Sequence, residues 1–181
     1  MKCSSRSILC RAALALSLAA TLAFDSANAV DLRSWDQKID NASQRFVLLG
    51  AFNNEAVLDK ETQLVWERTP TTSTYGWYYA DVQRCGMTPI GGRYGWRLPS
   101  RYELMTLLDA SVASGVKLAP GHPFVGVSSS ARYWSSSLNP QKPGDRVALS
   151  VNGSTPATYD PNTTSSVRVW CVRGAAASDG Y

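Results

Sequence analysis

A single pair of cysteines, Cys85 and Cys171, constrains the fold of this chain more than any other feature. The sequence has four cysteines, but Cys3 and Cys10 lie within residues 1–29, which have the pattern of a removable export signal. The remaining two would meet in an oxidising compartment, and we predict that they form a disulfide. Closing a loop of 86 residues contributes ~4 to 5 kcal/mol in the chain-entropy model. Much of the stability of a small domain is expected to depend on this bond.

The export signal has its three parts in the usual order. Three basic residues precede an apolar run at 12–24, and the small-residue triplet Ala27-Asn28-Ala29 follows. This is the pattern of a secretory signal peptide cleaved after the triplet. The apolar run is shorter than the ~20 residues that a membrane-spanning helix needs, so a retained anchor is disfavoured. We therefore expect an exported protein that is periplasmic, on the cell surface or secreted, with no membrane span after cleavage.

Composition limits the function classes further. Cleavage leaves 152 of the 181 residues, which suits one domain, and an apolar content of 44% supports a packed core. The formal charge of +4 falls to +2 with the signal, which carries three basic residues and one acidic residue. Without a run of five or more Lys or Arg residues, no nucleic-acid partner is expected. One histidine and two cysteines are too few for a zinc site, so we predict no metal and no cofactor.

The predicted domain spans residues 46–174, between a polar lead-in at 30–45 and a disordered tail at 175–181. Short apolar runs typical of buried strands lie at 46–49, 55–58 and 64–67. A turn-forming stretch separates the second run from the third. These two are therefore expected to form a hairpin.

Two helices are predicted after this hairpin. Tyr78, Val82 and Cys85 recur at i, i+4 and i+7, which indicates one apolar face of a helix over 76–85. Ser100 and Glu103 form an S-x-x-E capping box, in which each side chain satisfies the other's free backbone N–H. Three leucines follow the box as an apolar stripe, so the second helix begins here.

The C-terminal half combines long loops with strands. The stretch Ser111–Ser130 is rich in Ser, Gly and Pro, and together with Leu138–Arg146 it predicts irregular loops of the kind that often bind ligands. Alternation at 147–151 followed by Asn152-Gly153 predicts a strand pair. Residues 167–173 are apolar on both faces, as a single central strand would be.

These motifs, in this order, resemble the Lcl C-terminal domain family, the domain at the C-terminus of a Legionella collagen-like adhesin. The resemblance covers about 52–174. Its most specific residues are Trp96, Arg97, Leu98, Pro99, Ser100, Glu103, Tyr133 and Trp134. We interpret them as structural, with the Arg97 fork holding loop carbonyls and Trp96 filling core.

The resemblance implies an α+β fold of the C-type-lectin-like kind. Such a fold has two helices packed on a small, mostly antiparallel sheet with long irregular loops, and a disulfide ties its first helix to its last strand. Two positions depart from the family pattern: Gln63 stands where the family has Gly, and Trp170 where it often has Arg. The carboxylate loop of calcium-dependent lectins is missing as well, so calcium-dependent sugar binding is not expected.

No catalytic site is predicted. His122 is the only histidine, and the sequence has neither a serine elbow such as G-x-S-x-G nor an acid placed to orient it. A related lectin-like fold hosts enzymes that use a reactive cysteine pair, but here the disulfide accounts for both cysteines. Asp145, Asp160 and Asn162 lack the spacing of a calcium loop and are interpreted as turn residues.

The leading hypothesis is an extracytoplasmic, non-enzymatic module that binds a glycan or a protein at the cell surface or in the periplasm. The candidate ligand-binding residues are the loop cations and histidine Lys117, His122, Arg132, Lys142 and Arg146. Their charge suggests an acidic glycan or a surface protein as partner. The alternative is a structural accessory of a pilus or envelope assembly, and an enzyme is a more distant third. The sequence leaves the oligomeric state open.

Overall fold

The computed structural model describes residues 38–162 and 167–174. The predicted signal peptide at 1–29, the start of the lead-in at 30–37 and the predicted tail at 175–181 lie outside the described residues. The fold is α+β, as predicted, but it has two four-stranded sheets instead of one small sheet.

The first sheet contains the predicted hairpin. Its strands are β1 (Phe46–Leu48), β2 (Ala56–Asp59), β3 (Val65–Glu67) and β8 (Val172–Arg173), in the order β1-β2-β3-β8 with antiparallel pairing throughout. A short helix α1 (Ala42–Arg45), capped by the Asn41 side chain, leads into β1. A 3-10 helix, Gly50–Phe52, connects β1 to β2.

Gln63, which stands where the family has Gly, lies in the turn between β2 and β3. Gln63 has φ 61°, in the left-handed region. Glycine enters this region without steric cost, whereas a side chain is strained there. The Gln63 amide donates to the Lys60 carbonyl at 2.9 Å, which stabilises the turn.

The second sheet has the order β6-β5-β4-β7. Its strands are β4 (Arg132–Asn139), β5 (Lys142–Ser150), β6 (Ala157–Tyr159) and β7 (Val167–Arg168). Only the β4–β7 pair is parallel. The stretch Leu138–Arg146, predicted as a loop, is instead the tip of the β4–β5 hairpin, with a register shift after Trp134. The strand pair predicted at Asn152-Gly153 is present, although β5 and β6 are joined by the longer segment 151–156.

The predicted single strand at 167–173 is divided between the two sheets. Val167 pairs with Arg132 in the second sheet, and Val172 pairs with Trp66 in the first. Between these pairs the Trp170 indole donates to the Glu67 carbonyl at 2.8 Å. The chain therefore crosses from one sheet to the other at Trp170. The predicted alternation of faces is confirmed, because Val169 and Trp170 belong to different core clusters.

The first predicted helix is present, but its register is different from the expected one. Tyr79–Met87 is a π-helix, and its buried residues are Ala80 and Cys85, five positions apart. Tyr78, predicted on the buried face, is 64% exposed. A spacing of three or four residues describes an α-helix, whereas a π-helix brings i and i+5 to one face. The second helix α2 (Arg101–Thr106) begins at Ser100 with the predicted capping box.

Two core clusters lie on the two faces of the second sheet. One contains Tyr133, Leu149, Leu104 of α2 and Leu107 just after it. Trp170 packs edge-on against Phe124 and Trp66 in this cluster. The other contains Trp134, Ala148 and both disulfide cysteines. The irregular segment 107–131 covers the first cluster with Leu118 and Phe124, so part of the predicted loop is core.

Candidate functional site

The residues of the family motif form a fixed network at the start of α2. The Arg97 guanidinium binds both carboxylate oxygens of Glu103, at 2.8 and 2.6 Å, and also donates to the Leu98 carbonyl. Glu103 accepts from the Ser100 backbone N–H at 2.7 Å as well. Trp96 is 3% exposed and lies in the core. These contacts hold the helix to the sheet, because the Arg97 backbone also pairs with Val172 in β8.

The predicted disulfide is present and lies beside a buried ion pair. The Cα atoms of Cys85 and Cys171 are 5.5 Å apart, and both residues are fully buried. The Glu67 carboxylate accepts from Arg84 and from the Cys171 backbone N–H. Burial raises the pKa of the Glu67 carboxyl to about 7, although the Arg84 charge and the N–H of Cys171 oppose this shift.

This raised pKa predicts a pH-dependent stability. The folded protein binds the Glu67 proton more tightly than the unfolded chain, where the pKa is 4.5, so the free energy of unfolding should fall as the pH rises from 4.5 to about 7. The expected fall is on the order of 2 to 3 kcal/mol. Urea unfolding at several pH values measures it, and Glu67→Gln should remove it.

The difference between the unfolding free energies of the wild type and Glu67→Gln also removes the contribution of other titrating groups. His122 acts in the opposite direction, because burial lowers its pKa and the folded protein then binds that proton less tightly. Both proteins keep His122, so the difference between their curves isolates Glu67. Parallel curves for the wild type and Glu67→Gln would contradict the prediction.

A polar cavity of about 300 Å³ opens beside Glu67. Its lining residues are Asn53, Asn54, Glu55, Glu67, Arg68, Thr69 and Ile90. The Glu55 carboxylate accepts from the Gly91 N–H at 2.7 Å, and the Arg68 guanidinium donates to the Asn54 carbonyl. A Cβ atom at Gly91 would lie 2.3 Å from the Phe52 carbonyl oxygen, so this wall requires glycine. Within residues 38–162 and 167–174, no group of three or more His, Cys, Asp or Glu side chains is placed to hold a metal ion.

The five sequence-predicted ligand residues are not brought into one site. Lys117 donates its backbone N–H to Val151, and Arg132 pairs with Ser150, so both lie at the C-terminal end of β5. Lys142 and Arg146 lie near the N-terminal end of the same strand. His122 is half-buried in the loop, with its ring 5.8 Å from that of Phe124.

More acidic side chains lie close to Lys142 and Arg146 than the sequence suggested. Lys142 forms an ion pair with Asp145 at 2.8 Å, and the charge of Asp160 also acts on it. The Arg146 charge acts on Asp81, whose pKa is raised by burial in spite of it. Acidic and basic groups are therefore mixed here, and the region is not a basic patch.

Arg146 lies in a cluster of aromatic residues that the sequence prediction missed. The Arg146 guanidinium lies 4.4 Å from the centre of the Trp77 ring, and Arg146 pairs across the sheet with Tyr159. Tyr75 and Tyr79 are stacked with their ring centres 4.7 Å apart. We call the group Tyr75, Trp77, Tyr79, Arg146 and Tyr159 the aromatic surface.

Two hydrogen bonds fix the aromatic surface on the second sheet. The Trp77 indole donates to the Ser135 carbonyl at 2.8 Å, and the Trp134 indole donates to the Tyr75 carbonyl at 2.7 Å. Tyr79 is 41% exposed, whereas Tyr75 and Trp77 are half-buried. Tyr75, Trp77 and Tyr159 pack against the second core cluster, and Tyr79 is the most exposed ring of the surface.

One feature of the sequence points to this surface. Residues 75–79 read Tyr-Gly-Trp-Tyr-Tyr, four aromatics in five positions. The α-helical prediction assigns only Tyr78 to the core and gives no role to the other three. Their high density at the start of a helix with a small buried face is the signal that this segment presents rings to solvent.

Residues 55–173 match the Lcl C-terminal domain family. The matched stretch includes the disulfide, the Arg97–Glu103 network and the whole aromatic surface. No curated protein and no solved structure matches the chain. In the described part of the chain, no helix has both the length and the apolar character to cross a membrane.

Proposed function

The chain belongs to the Lcl C-terminal domain family, and on that basis we propose that it is a non-enzymatic, extracytoplasmic binding module. It recognises a glycan or a protein at the cell surface or in the periplasm. The family relation to an adhesin domain favours binding over catalysis. The buried disulfide is compatible with an oxidising compartment outside the cytoplasm. The α+β arrangement with its long irregular segment at 107–131 is compatible with the C-type-lectin-like fold that the resemblance implies.

The observation that carries this proposal is the aromatic surface. Tyr79 is exposed, and Tyr75, Trp77 and Tyr159 are partly buried against the second core cluster. Tyrosine and tryptophan rings offer large, rigid contact areas at low entropic cost on binding. Here the rings are held by hydrogen bonds from two indoles to backbone carbonyls. A surface preorganised in this way binds with a smaller loss of side-chain freedom.

The environment of His122 gives little support to the enzyme alternative. Its ring lies against Phe124, and burial lowers the pKa of the imidazole. No hydrogen-bond partner is present for its Nδ1 atom among the described residues, so no acid orients the ring through that atom. A general base needs such an orienting partner and a nucleophile within reach.

The acidic-glycan form of the proposal would depend mainly on Lys117 and Arg132. These two residues lie at the end of β5 that is remote from the Lys142–Asp145 ion pair. Binding of this kind weakens with salt, because exposed charges are screened over about 8 to 10 Å at physiological ionic strength.

We expect Tyr79→Ala to weaken ligand binding by at least about fivefold, because a central aromatic contact contributes ~1 kcal/mol or more. The measurement is retention of the exported protein on an array of immobilised glycans and purified surface proteins. The matched control is Tyr94→Ala, since Tyr94 is 63% exposed and lies outside the aromatic surface. Equal retention of Tyr79→Ala and the wild type would oppose this site. Retention on glycans would support the glycan form of the proposal, and retention on proteins alone would support its protein form.

A further inference from the structure

The balance of charge around the aromatic surface is unfavourable for an acidic ligand. Arg146 belongs to it and Lys142 lies in the same strand. Asp81 is close enough to Arg146 for their charges to interact, and Asp145 and Asp160 act on Lys142. A polyanion would meet these carboxylates as well as the cations, and like charges that are brought together on binding oppose association.

The surface has the two kinds of contact that a sugar ring requires. A pyranose ring has a face made mainly of C–H groups and a rim of hydroxyl groups. Tyr79 has one ring face against Tyr75 and is 41% exposed, so the rest of its ring is available for the C–H face. The Arg146 guanidinium lies against Trp77 and donates to the Pro143 carbonyl at 3.3 Å, and its remaining terminal N–H groups are placed to donate to hydroxyl groups.

Acceptors for hydroxyl groups lie beside these donors. The Asp145 carboxylate lies next to Arg146 in β5, and Asp160 follows Tyr159 at the end of β6. Asp145 is half-buried and Asp160 is exposed. Asp145 pairs with Lys142, and the charge of Asp160 acts on the same lysine. The Trp77 backbone N–H donates to the carbonyl of Pro161, so Asp160 lies close to Trp77 in the fold.

This mixture is less suitable for a protein or for nucleic acid. The centres of protein interfaces are depleted in charged residues, whereas here Arg146 lies against Trp77 and the Lys142–Asp145 ion pair is in the same strand. A single-stranded nucleic acid needs stacking rings inside a positively charged groove, and the charge of this surface is not positive. An uncharged ligand with many hydroxyl groups fits the rings, the guanidinium and the carboxylates together.

We propose that the aromatic surface binds the uncharged pyranose rings of a neutral polysaccharide. The inference rests on the proposed function and adds the ligand class. Tyr79 stacks on the C–H face of a sugar, Arg146 donates to its hydroxyl groups, and Asp145 and Asp160 accept from them. Because no net charge is neutralised, the affinity is insensitive to salt.

The test uses affinity electrophoresis of the full exported chain in gels that contain a neutral polysaccharide. The probes are a β-glucan, a mannan and a galactan, each also in a sulfated form. We expect at least one neutral polymer to retard the protein equally from about 50 to about 500 mM salt. Tyr79→Ala should weaken this retardation at least about fivefold, and Tyr94→Ala should not change it.

A second variant separates the ligand contact from folding. Arg146→Met removes the guanidinium donors, the contact of the guanidinium with Trp77 and a hydrogen bond to the Pro143 carbonyl. We expect it to weaken binding to the neutral polymer while the protein stays folded, as its tryptophan fluorescence shows. Retardation by sulfated polymers alone, lost at high salt and in Lys117→Ser/Arg132→Ser, would overturn the inference but leave the binding function intact. Retardation by none of the polymers would also overturn it. If the glycan and protein array then retains nothing, the proposed function fails too.

Discussion

Replacement of Cys85 or Cys171 by Ser should lower the free energy of unfolding by ~2 to 5 kcal/mol. The bond closes a loop of 86 residues, and both cysteines are fully buried in the second core cluster. Without it the unfolded chain gains conformational freedom, and the π-helix loses its covalent tie to the segment before β8. Urea unfolding of the exported protein, monitored by tryptophan fluorescence, measures the loss.

The double variant provides the control for this prediction. Either single change breaks the whole bond, so Cys85→Ser/Cys171→Ser should cost about as much as one change alone. Reduction of the wild-type protein should lower its stability to a similar value. Additive costs of the two single changes would contradict a bond between these residues, and so would two alkylatable thiols in unreduced protein.

Asp59→Ala should destabilise the domain by ~3 to 5 kcal/mol, because it leaves a buried guanidinium without its main partner. Asp59 is fully buried and Arg45 is 5% exposed. The guanidinium of Arg45 donates to both carboxylate oxygens, at 2.9 and 2.8 Å. The same carboxylate accepts from the Glu61 N–H and the Thr62 hydroxyl, so the change also releases the β2–β3 turn.

A double-mutant cycle separates the ion pair from the turn. Asp59→Asn keeps the size of the side chain and an acceptor for the turn, so its cost reports mainly the lost charge. Arg45→Met/Asp59→Asn should cost less than the sum of the two single changes, because no buried charge is left unpaired. A cost below about 1 kcal/mol for Asp59→Ala would show that water reaches Arg45 and that the pair acts as an exposed one.

Local patterns in the sequence predicted the elements whose stabilising contacts lie a few residues apart. The capping box of α2 depends on Ser100 and Glu103, three positions apart, and both of its hydrogen bonds are present. The hairpin of β2 and β3 depends on two short apolar runs, one on either side of a short turn. Such contacts are encoded within one segment, so one segment is enough to predict them.

The aromatic surface was not predictable in this way, because it combines residues that are distant in the chain. Trp77 meets Arg146 only after the segment before the π-helix has been laid across β4 and β5, where the Trp77 indole binds the Ser135 carbonyl. The five candidate ligand residues illustrate the opposite error. They share loops and charge in the sequence, but the length of β5 keeps Lys142 and Lys117 apart.

The sequence by itself determined the cysteine pair, the capped helix and the family, and the family resemblance implied the α+β class. The pair follows from the two cysteines that remain after the signal, the helix from residues three positions apart, and the family from several motifs in a fixed order. Only the tertiary structure decided the register of the π-helix, the division of residues 167–173 between two sheets and the position of the aromatic surface. The reason is that the local sequence is compatible with several backbone arrangements, and tertiary packing selects one of them. Burial of Ala80 with Cys85 required a five-residue spacing, and the hydrogen bond from the Trp170 indole to Glu67 occupies the crossing between the sheets.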